Sequence, residues 1–432
     1  MNTTSIIAKN TFFQILSKVI TSLIGLLTRK LLTNYLGPAG FGDYVFALTY
    51  SSLFSSIADW GTLVIGVREA SKNPALRPSI FGASLVGRLI LSLIAFLVAI
   101  IVFPFVGIHD IPFSVIIISG VLIIFFALKA SFGIIFETLL CMDRWLLVEV
   151  SASLFTLIFF AASVIFHLPL VSFFLSLLVA TSLSCLCAFW ISRTLTPINF
   201  NFSPAVLKKL LLEALPMGAA LIMFTVYNRI DTVILRHYRS AAEVGLYGLA
   251  YFIYENIVLV AAYVINSAFP LLSRTGSELS ERNNFRRIYQ KTFDLLLILA
   301  IGAAVSTYLL SPLFVRIISS PEFMYSSTLL KILSFSLLFS FLNHITGFGL
   351  IALGKQRLYA LATLTALFFN ISLNIIFVPQ YGAVACALIT IGTELTVHLV
   401  SLVITYRTIK FLPSWLSFPH TLFSTLEKYV RK

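Results

Sequence analysis

Charge is scarce in this chain: 11% of its 432 residues are Asp, Glu, Lys or Arg, against roughly 25% in an average soluble domain. That scarcity excludes a water-facing globular surface. Cysteine is scarce too. The 4 cysteines, Cys141, Cys185, Cys187 and Cys386, fall within or at the ends of apolar runs. Cys185 and Cys187, two apart, lie on different faces of a helix, so neither a disulfide framework nor a metal site is expected. The 6 histidines form no ligand-spaced cluster, and His344 and His398 read as hydrogen-bonded helix contacts. No metal or other cofactor is expected. A cleavable signal is also missing: the first apolar run carries Asn10, Gln14, Lys18 and Arg29, with no small-residue cleavage site after a short core, and reads as a retained span.

What the chain has in abundance is apolar length, with 59% hydrophobic residues and a mean hydropathy of +0.99. At about 20 residues per spanning helix, the apolar runs predict twelve spans: 10–36, 43–67, 79–106, 113–140, 145–167, 170–193, 214–238, 244–271, 291–311, 326–352, 358–378 and 383–406. Turn chemistry separates several of them, at Gly37-Pro38, Asn73-Pro74 and Gly354. This predicts an all-α membrane protein with no room for a large soluble domain.

The net charge of +13 sorts by loop. With the N-terminus in the cytosol, 20 Lys and Arg fall on the inside, whereas only Arg236, Arg239 and Arg316 fall outside. The positive-inside rule therefore predicts both termini in the cytosol. Topology accounts for the basic charge, and nucleic acid is not an expected partner. The amphipathic stretch Ser203 to Glu213 follows a break at Pro197-Ile198-Asn199. It divides the chain into an N-terminal six-helix bundle (1–196), a cytosolic connector (197–213), a C-terminal bundle (214–406) and a basic cytosolic tail (407–432). The halves echo each other: Gly42-Asp43-Tyr44 with Ala47 recurs as Gly245-Leu246-Tyr247 with Ala250. Six spans per half give parallel repeats, which predicts two bundles around a central cavity.

Seven cations lie inside spans: Lys18, Arg29, Lys30, Arg88, Lys129, Arg229 and Lys331. At about 2.5–3.5 kcal/mol each near a helix centre, they cannot all face lipid. Lys30 and Lys331 are near enough to helix ends to snorkel. On the first span Asn10, Gln14, Ser17, Lys18, Thr21, Gly25, Thr28 and Arg29 share one polar arc, and Gly218, Thr225, Arg229, Thr232 and Arg236 repeat it on the seventh. Two readings stay open: a cationic cavity for an anionic substrate, or ion pairs that hold helices together. For Asp59 and Glu137, near inner ends of spans, the second is preferred. Asp231 and Glu255, on successive deep spans, are candidate ion-coupling carboxylates. Tyr247, Tyr251 and Tyr254 share a face of the eighth span, as a glycan platform or as packing.

Several motifs carry a resemblance. Leu31 to Pro38, Phe41-Gly42-Asp43-Tyr44, Ala58-Asp59-Trp60-Gly61 and Arg68-Glu69 resemble the first two helices of the polysaccharide exporter family, the O-antigen flippase or Wzx type. Arg229-Ile230-Asp231 with Val244-Gly245-Leu246-Tyr247 and Ala250-Tyr251 is similar to its seventh and eighth helices. Asn370, Asn374, Pro379 and Tyr381-Gly382-Ala383 match its eleventh-to-twelfth junction. The resemblance implies a transporter that flips undecaprenyl-diphosphate-linked oligosaccharides across the bacterial cytoplasmic membrane by alternating access, coupled to an ion gradient. Its partners would be that lipid-linked substrate, membrane lipid and other polysaccharide-assembly membrane proteins.

Lys18, Arg29, Arg88, Lys129 and Arg229 are the candidate diphosphate ligands, with Tyr247 and Tyr251 for the glycan, because arginine offers a fixed charge and forked donors to phosphate oxygens. A lipid II flippase would share such a cavity. A multidrug exporter for cationic drugs would favour acidic residues instead. A polymerase or ligase would need a large outer loop, yet the stretches Gly107 to Pro112 and Pro312 to Ser327 are short and nearly devoid of titratable groups. No enzyme activity is expected.

Overall fold

The computed structural model describes residues 3–196, 203–276, 281–415 and 417, and among them it contains helices and no strand. The long helices are α1 (Thr3–Asp59), α2 (Thr62–Lys72), α3 (Arg77–Val102), α4 (Phe113–Thr138), α5 (Met142–Ile165), α6 (Leu170–Arg193), α7 (Pro204–Tyr238), α8 (Ala241–Gly276), α9 (Arg282–Ile318), α10 (Tyr325–Ala352) and α11 (Gln356–Ile409). Ten stretches among the described residues are long and apolar enough to span a membrane. Two of these, Lys9–Lys72 and Gln356–Ile409, are 64 and 54 residues long, about twice what one span needs. Each is broken near its middle by a glycine with positive φ, Gly37 (φ 63°, ψ −178°) and Gly382 (φ 56°, ψ −135°). The breaks resolve the ten stretches into twelve spans, in line with the sequence.

Both breaks have local causes. Gly37 precedes Pro38, whose ring disfavours helical geometry in the residue before it. At Gly382 the helix restarts with an orphan amide, and the carboxylate of Glu243 at the start of α8 accepts that bond from Ala383 N at 2.7 Å. A Cβ on Gly382 would lie 1.8 Å from Glu243 Oε1, so glycine is required there. A third break, at Trp60 (φ 47°) and Gly61 (φ 70°), separates α1 from α2.

The chain divides into two compact units, Met1–His237 with Ile318–Ser320, and Tyr238–Ile317 with Pro321–Lys432. In the first unit α1 packs on α3, α4 and α5, while α6 packs on α4 and α5. The α7 helix belongs to this unit, and its backbone approaches the α1–α2 break closely: Gly218 lacks the Cβ that would sit 3.0 Å from Trp60 O. Trp60 Nε1 donates to Leu211 O at 3.2 Å, one residue from the carbonyl that Pro216 leaves without its amide. The segment 203–213, expected as a separate surface connector, is helical and runs unbroken into the seventh span. Residues 197–202, with the Pro197 break, and most of the basic tail, 416 and 418–432, lie outside the described residues.

In the second unit α10 packs against α8 and α11. Large apolar side chains such as Leu97, Ile101, Ile158, Leu309 and Phe368 are exposed along the helices, as lipid-facing side chains are. Because lipid removes the hydrophobic drive between helices, packing rests on small residues: Ala47, Ala95, Ala180, Ala188, Ala362 and Ala366 are fully buried. Many buried hydroxyls are satisfied within their own helix. Thr181 donates to Leu177 O at 2.7 Å, Thr393 to Ile389 O at 2.6 Å and Thr405 to Ser401 O at 2.8 Å.

Candidate functional site

A cavity of about 280 Å³ opens inside the first unit among α1, α4, α5 and α6. Small or hydroxylated residues leave the space: Gly25 and Thr28 on α1, Ala152, Ser153 and Thr156 on α5, and Thr181 on α6. A Cβ added at Gly25 would meet nothing within 4 Å, so this glycine opens onto free volume. Three charges line the cavity, Arg29, Lys129 and Glu149. Lys129 Nζ lies 2.9 Å from Glu149 Oε1, with side-chain exposures of 15% and 33%. It also stands over an aromatic face, 5.9 Å from the Trp145 ring centroid, while the Arg29 guanidinium sits 5.8 Å from that of Phe41. Two cations against one carboxylate make the cavity net positive.

The other candidates lie elsewhere. Arg88 is 1% exposed and is held by Asp59 and by Thr62 Oγ1, the latter at 2.8 Å. That geometry is the helix-holding alternative, with Asp59 as the structural partner expected of it. Lys18 is exposed on α1 and does not line the cavity, although Gly25, Thr28 and Arg29 of the same polar arc do. Asn10 of that arc instead accepts a hydrogen bond from Met142 N at 3.0 Å. On α7, Arg229 is half-buried, and Asp231 is buried with Oδ1 accepting from Thr232 N at 2.6 Å. Glu255 is half-buried in the second unit. The tyrosine platform is packed away: Tyr247 is 0% exposed, its ring lies 5.6 Å from that of Tyr251, and Tyr254 hydrogen-bonds Ser336 at 3.1 Å and Ser340. Asn370 and Asn374 are buried alongside, with Asn370 Nδ2 donating to Thr393 Oγ1 at 3.2 Å.

Where α7 ends, Arg236 is buried between two carboxylates, 3.0 Å from Asp43 Oδ1 and 2.5 Å from Asp110 Oδ2. The hydrogen bond from Arg236 holds the Asp110 carboxyl below the ordinary carboxylate range, with the nearby positive charge adding to it.

A family model described as polysaccharide biosynthesis protein matches residues 7–276, which include every residue of the cavity. The chain belongs to that family. A second model, MatE, matches residues 216–376. This polysaccharide biosynthesis protein is 26% identical over 190 residues to the probable low-salt glycan biosynthesis flippase Agl15 of Haloferax volcanii, a match covering 43% of this chain and 39% of that protein's length. Its fold is similar to that of the lipid II flippase MurJ in an inward closed conformation, with a TM-score of 0.74, 16% identity and 97% of each chain covered. It also resembles an inward-facing multidrug resistance MATE family transporter of the MOP superfamily, with a TM-score of 0.71, 15% identity, and 90% and 94% of the two chains covered. The polysaccharide biosynthesis protein is thus a multi-pass membrane protein with the fold of these flippase and transporter structures.

Reasoning from the sequence of this family member did not single out Glu149, Ser153, Thr156 or Thr181 as site residues. Glu149 lies one turn into the fifth span. Its pairing with Lys129 on another helix left no trace in spacing.

Proposed function

We propose that this transporter flips a lipid-linked diphosphate oligosaccharide across the bacterial cytoplasmic membrane by alternating access, with both termini cytosolic. The observation that carries this reading is the net-positive cavity lined by Arg29 and Lys129. At about 280 Å³ it lies at the low end of small-molecule sites, roughly 300–1,000 Å³, a size suited to a diphosphate and not to a whole glycan. A forked guanidinium and an ammonium suit phosphate oxygens. The polyprenyl tail stays in lipid, which needs no protein pocket. Undecaprenyl-linked surface-polysaccharide units such as O-antigen fit this chemistry, and the glycan biosynthesis flippase relative supports a glycan as the cargo. Lipid II presents the same diphosphate and is the second reading, favoured by the fold alone.

In this reading Asp231 or Glu255 couples an ion gradient to transport. Amide replacement at the coupling residue then lowers gradient-driven accumulation while sparing substrate binding, and unchanged ion dependence in both variants removes them from the scheme. The decisive experiment is reconstituted flipping with defined lipid-linked glycans. Translocation of an undecaprenyl-diphosphate oligosaccharide, lost in Arg29→Gln and partly restored in Arg29→Lys, is expected. Transport of lipid II alone assigns the second reading. Transport of neither, by protein that is correctly folded, refutes both.

A further inference from the structure

The second unit carries a separate cationic cleft. Helix α9 presents Arg286, Arg287 and Lys291 within its first three turns. The chain leaves α11 at Ile409, reverses at Lys410 (φ 51°) and folds back along α9. The fold-back is fixed by polar bonds on one side: Ser414 N donates to Gln290 Oε1 at 2.8 Å, Gln290 Nε2 returns a bond to Ser414 O at 2.9 Å, and Ser417 Oγ reaches Asp294 Oδ1 at 2.6 Å. Aromatic contacts fix it on the other, with Trp415 against Phe293 (5.4 Å) and Phe411 against Tyr289 (6.0 Å). A cleft of about 390 Å³ remains between α9 and this segment, lined by the three cations, Gln290, Phe411 and Ser417, with Asp294 behind them.

The charge of the cleft is unbalanced. Asp294 is buried and accepts hydrogen bonds from Gln290 (2.7 Å) and Ser417, while Arg287 and Lys291 are exposed at the rim. Three cations against one carboxylate leave two net positive charges. Arg286 donates through Nη2 to Ile409 O, and its Nε is buried with no acceptor among the described residues, which leaves a donor for a ligand oxygen. Depth is set by the same segment: Leu412 and Trp415 are 53% and 42% exposed just beyond the end of a spanning helix, the place where apolar and tryptophan side chains enter the membrane interface. Headgroup phosphates lie at that level.

We propose that this cleft binds the phosphate of an anionic phospholipid headgroup, with Arg287 and Lys291 on its oxygens and Phe411 against its glycerol end. The site is independent of the transport cavity and of the substrate assigned to it. It ties the segment that follows α11 in the second unit to lipid composition, through a region rich in the charges that anionic leaflets attract.

The test uses the full chain in detergent, titrated with short-chain phosphatidylglycerol, short-chain phosphatidylcholine and inorganic phosphate, with binding read by native mass spectrometry and thermal shift. Phosphatidylglycerol should bind and phosphatidylcholine should not. In the double variant Arg287→Gln with Lys291→Gln, phosphatidylglycerol affinity should fall about 25-fold, at about fivefold for each cation removed near a membrane surface. The charge-conserving pair Arg287→Lys with Lys291→Arg should keep binding within about threefold, which separates loss of charge from loss of fold. Equal retention of phosphatidylglycerol by the wild type and the Gln variant overturns the proposal. Inorganic phosphate bound as tightly as phosphatidylglycerol assigns the cleft to a soluble phosphate and overturns the lipid assignment.

Discussion

Lys129 and Glu149 allow a test in which two neutralising substitutions act in opposite directions. At 2.9 Å and an effective dielectric of about 20, the pair attracts by roughly 6 kcal/mol, and desolvation of the mostly buried ammonium cancels much of that. In the proposed function Glu149 acts as a resident counter-ion that an incoming phosphate must replace. Lys129→Gln removes one charge-assisted hydrogen bond to the ligand, about 1.5–3 kcal/mol, or roughly a 10- to 150-fold loss of affinity. Glu149→Gln releases Lys129 from its competitor, so affinity for an anionic ligand rises. The assay is equilibrium binding of a fluorescent lipid-linked diphosphate in detergent, with folded yield from size-exclusion chromatography. If the pair only holds α4 to α5, both variants lower yield and the surviving fraction binds normally. Affinities that move together, or not at all, refute the assignment of this cavity to the diphosphate.

Gly25→Leu should fill the cavity without disturbing packing, since nothing lies within 4 Å of the added Cβ; normal thermal stability with lost binding is the expected pair of results. Gly382→Ala should cost about 2–5 kcal/mol, because it strains a positive φ and pushes Glu243 off the Ala383 amide; the readout is thermal unfolding in detergent, and an unchanged midpoint contradicts the account of that break. Tyr254→Phe removes the buried bonds to Ser336 and Ser340 and should lower stability by about 0.5–1.5 kcal/mol without changing substrate affinity, as befits a core tyrosine. Asp110, with its carboxyl held low by the Arg236 hydrogen bond, contributes stability that is present above the ordinary carboxylate pKa and is lost as pH falls through its lower folded value. Asp110→Asn should therefore flatten that acid limb in thermal melts recorded against pH, and a limb of unchanged depth excludes this ion pair as its source.

Periodicity and turn chemistry carried most of the fold. The apolar runs placed twelve spans, and Gly37-Pro38 read as a turn because proline and glycine act locally, on their own backbone. The Gly382 break was legible only as a motif; its cause, a carboxylate 139 positions earlier, acts through space, with Glu243 meeting Ala383. The same limit governed the site. Arg29 and Lys129 stood out as cations that lipid would penalise, but spacing gave no sign that Arg88 faces Asp59 or that Arg236 is held by both Asp43 and Asp110. For the tyrosines of α8 the pattern itself was ambiguous: an i, i+4, i+7 stripe serves packing and ligand stacking equally well, and only burial separates them. Pro216 was silent about the connector, since helix α7 runs through it while Trp60 donates to a carbonyl beside the gap.

The inward turn of the buried hydroxyls has a mechanical consequence. Thr181 and Thr292 each bond a carbonyl of their own helix, so toward a neighbouring helix they present a methyl group and a saturated oxygen. Where two such helices meet, few hydrogen bonds cross the seam, and one helix can slide along another by exchanging van der Waals contacts of about 0.1–0.2 kcal/mol per atom pair instead of breaking directional bonds of several times that worth. Friction along these seams is low, and the polar anchors that do cross them, Lys129 with Glu149 and Asn343 with Glu394 (2.7 Å), become the points about which such shear pivots.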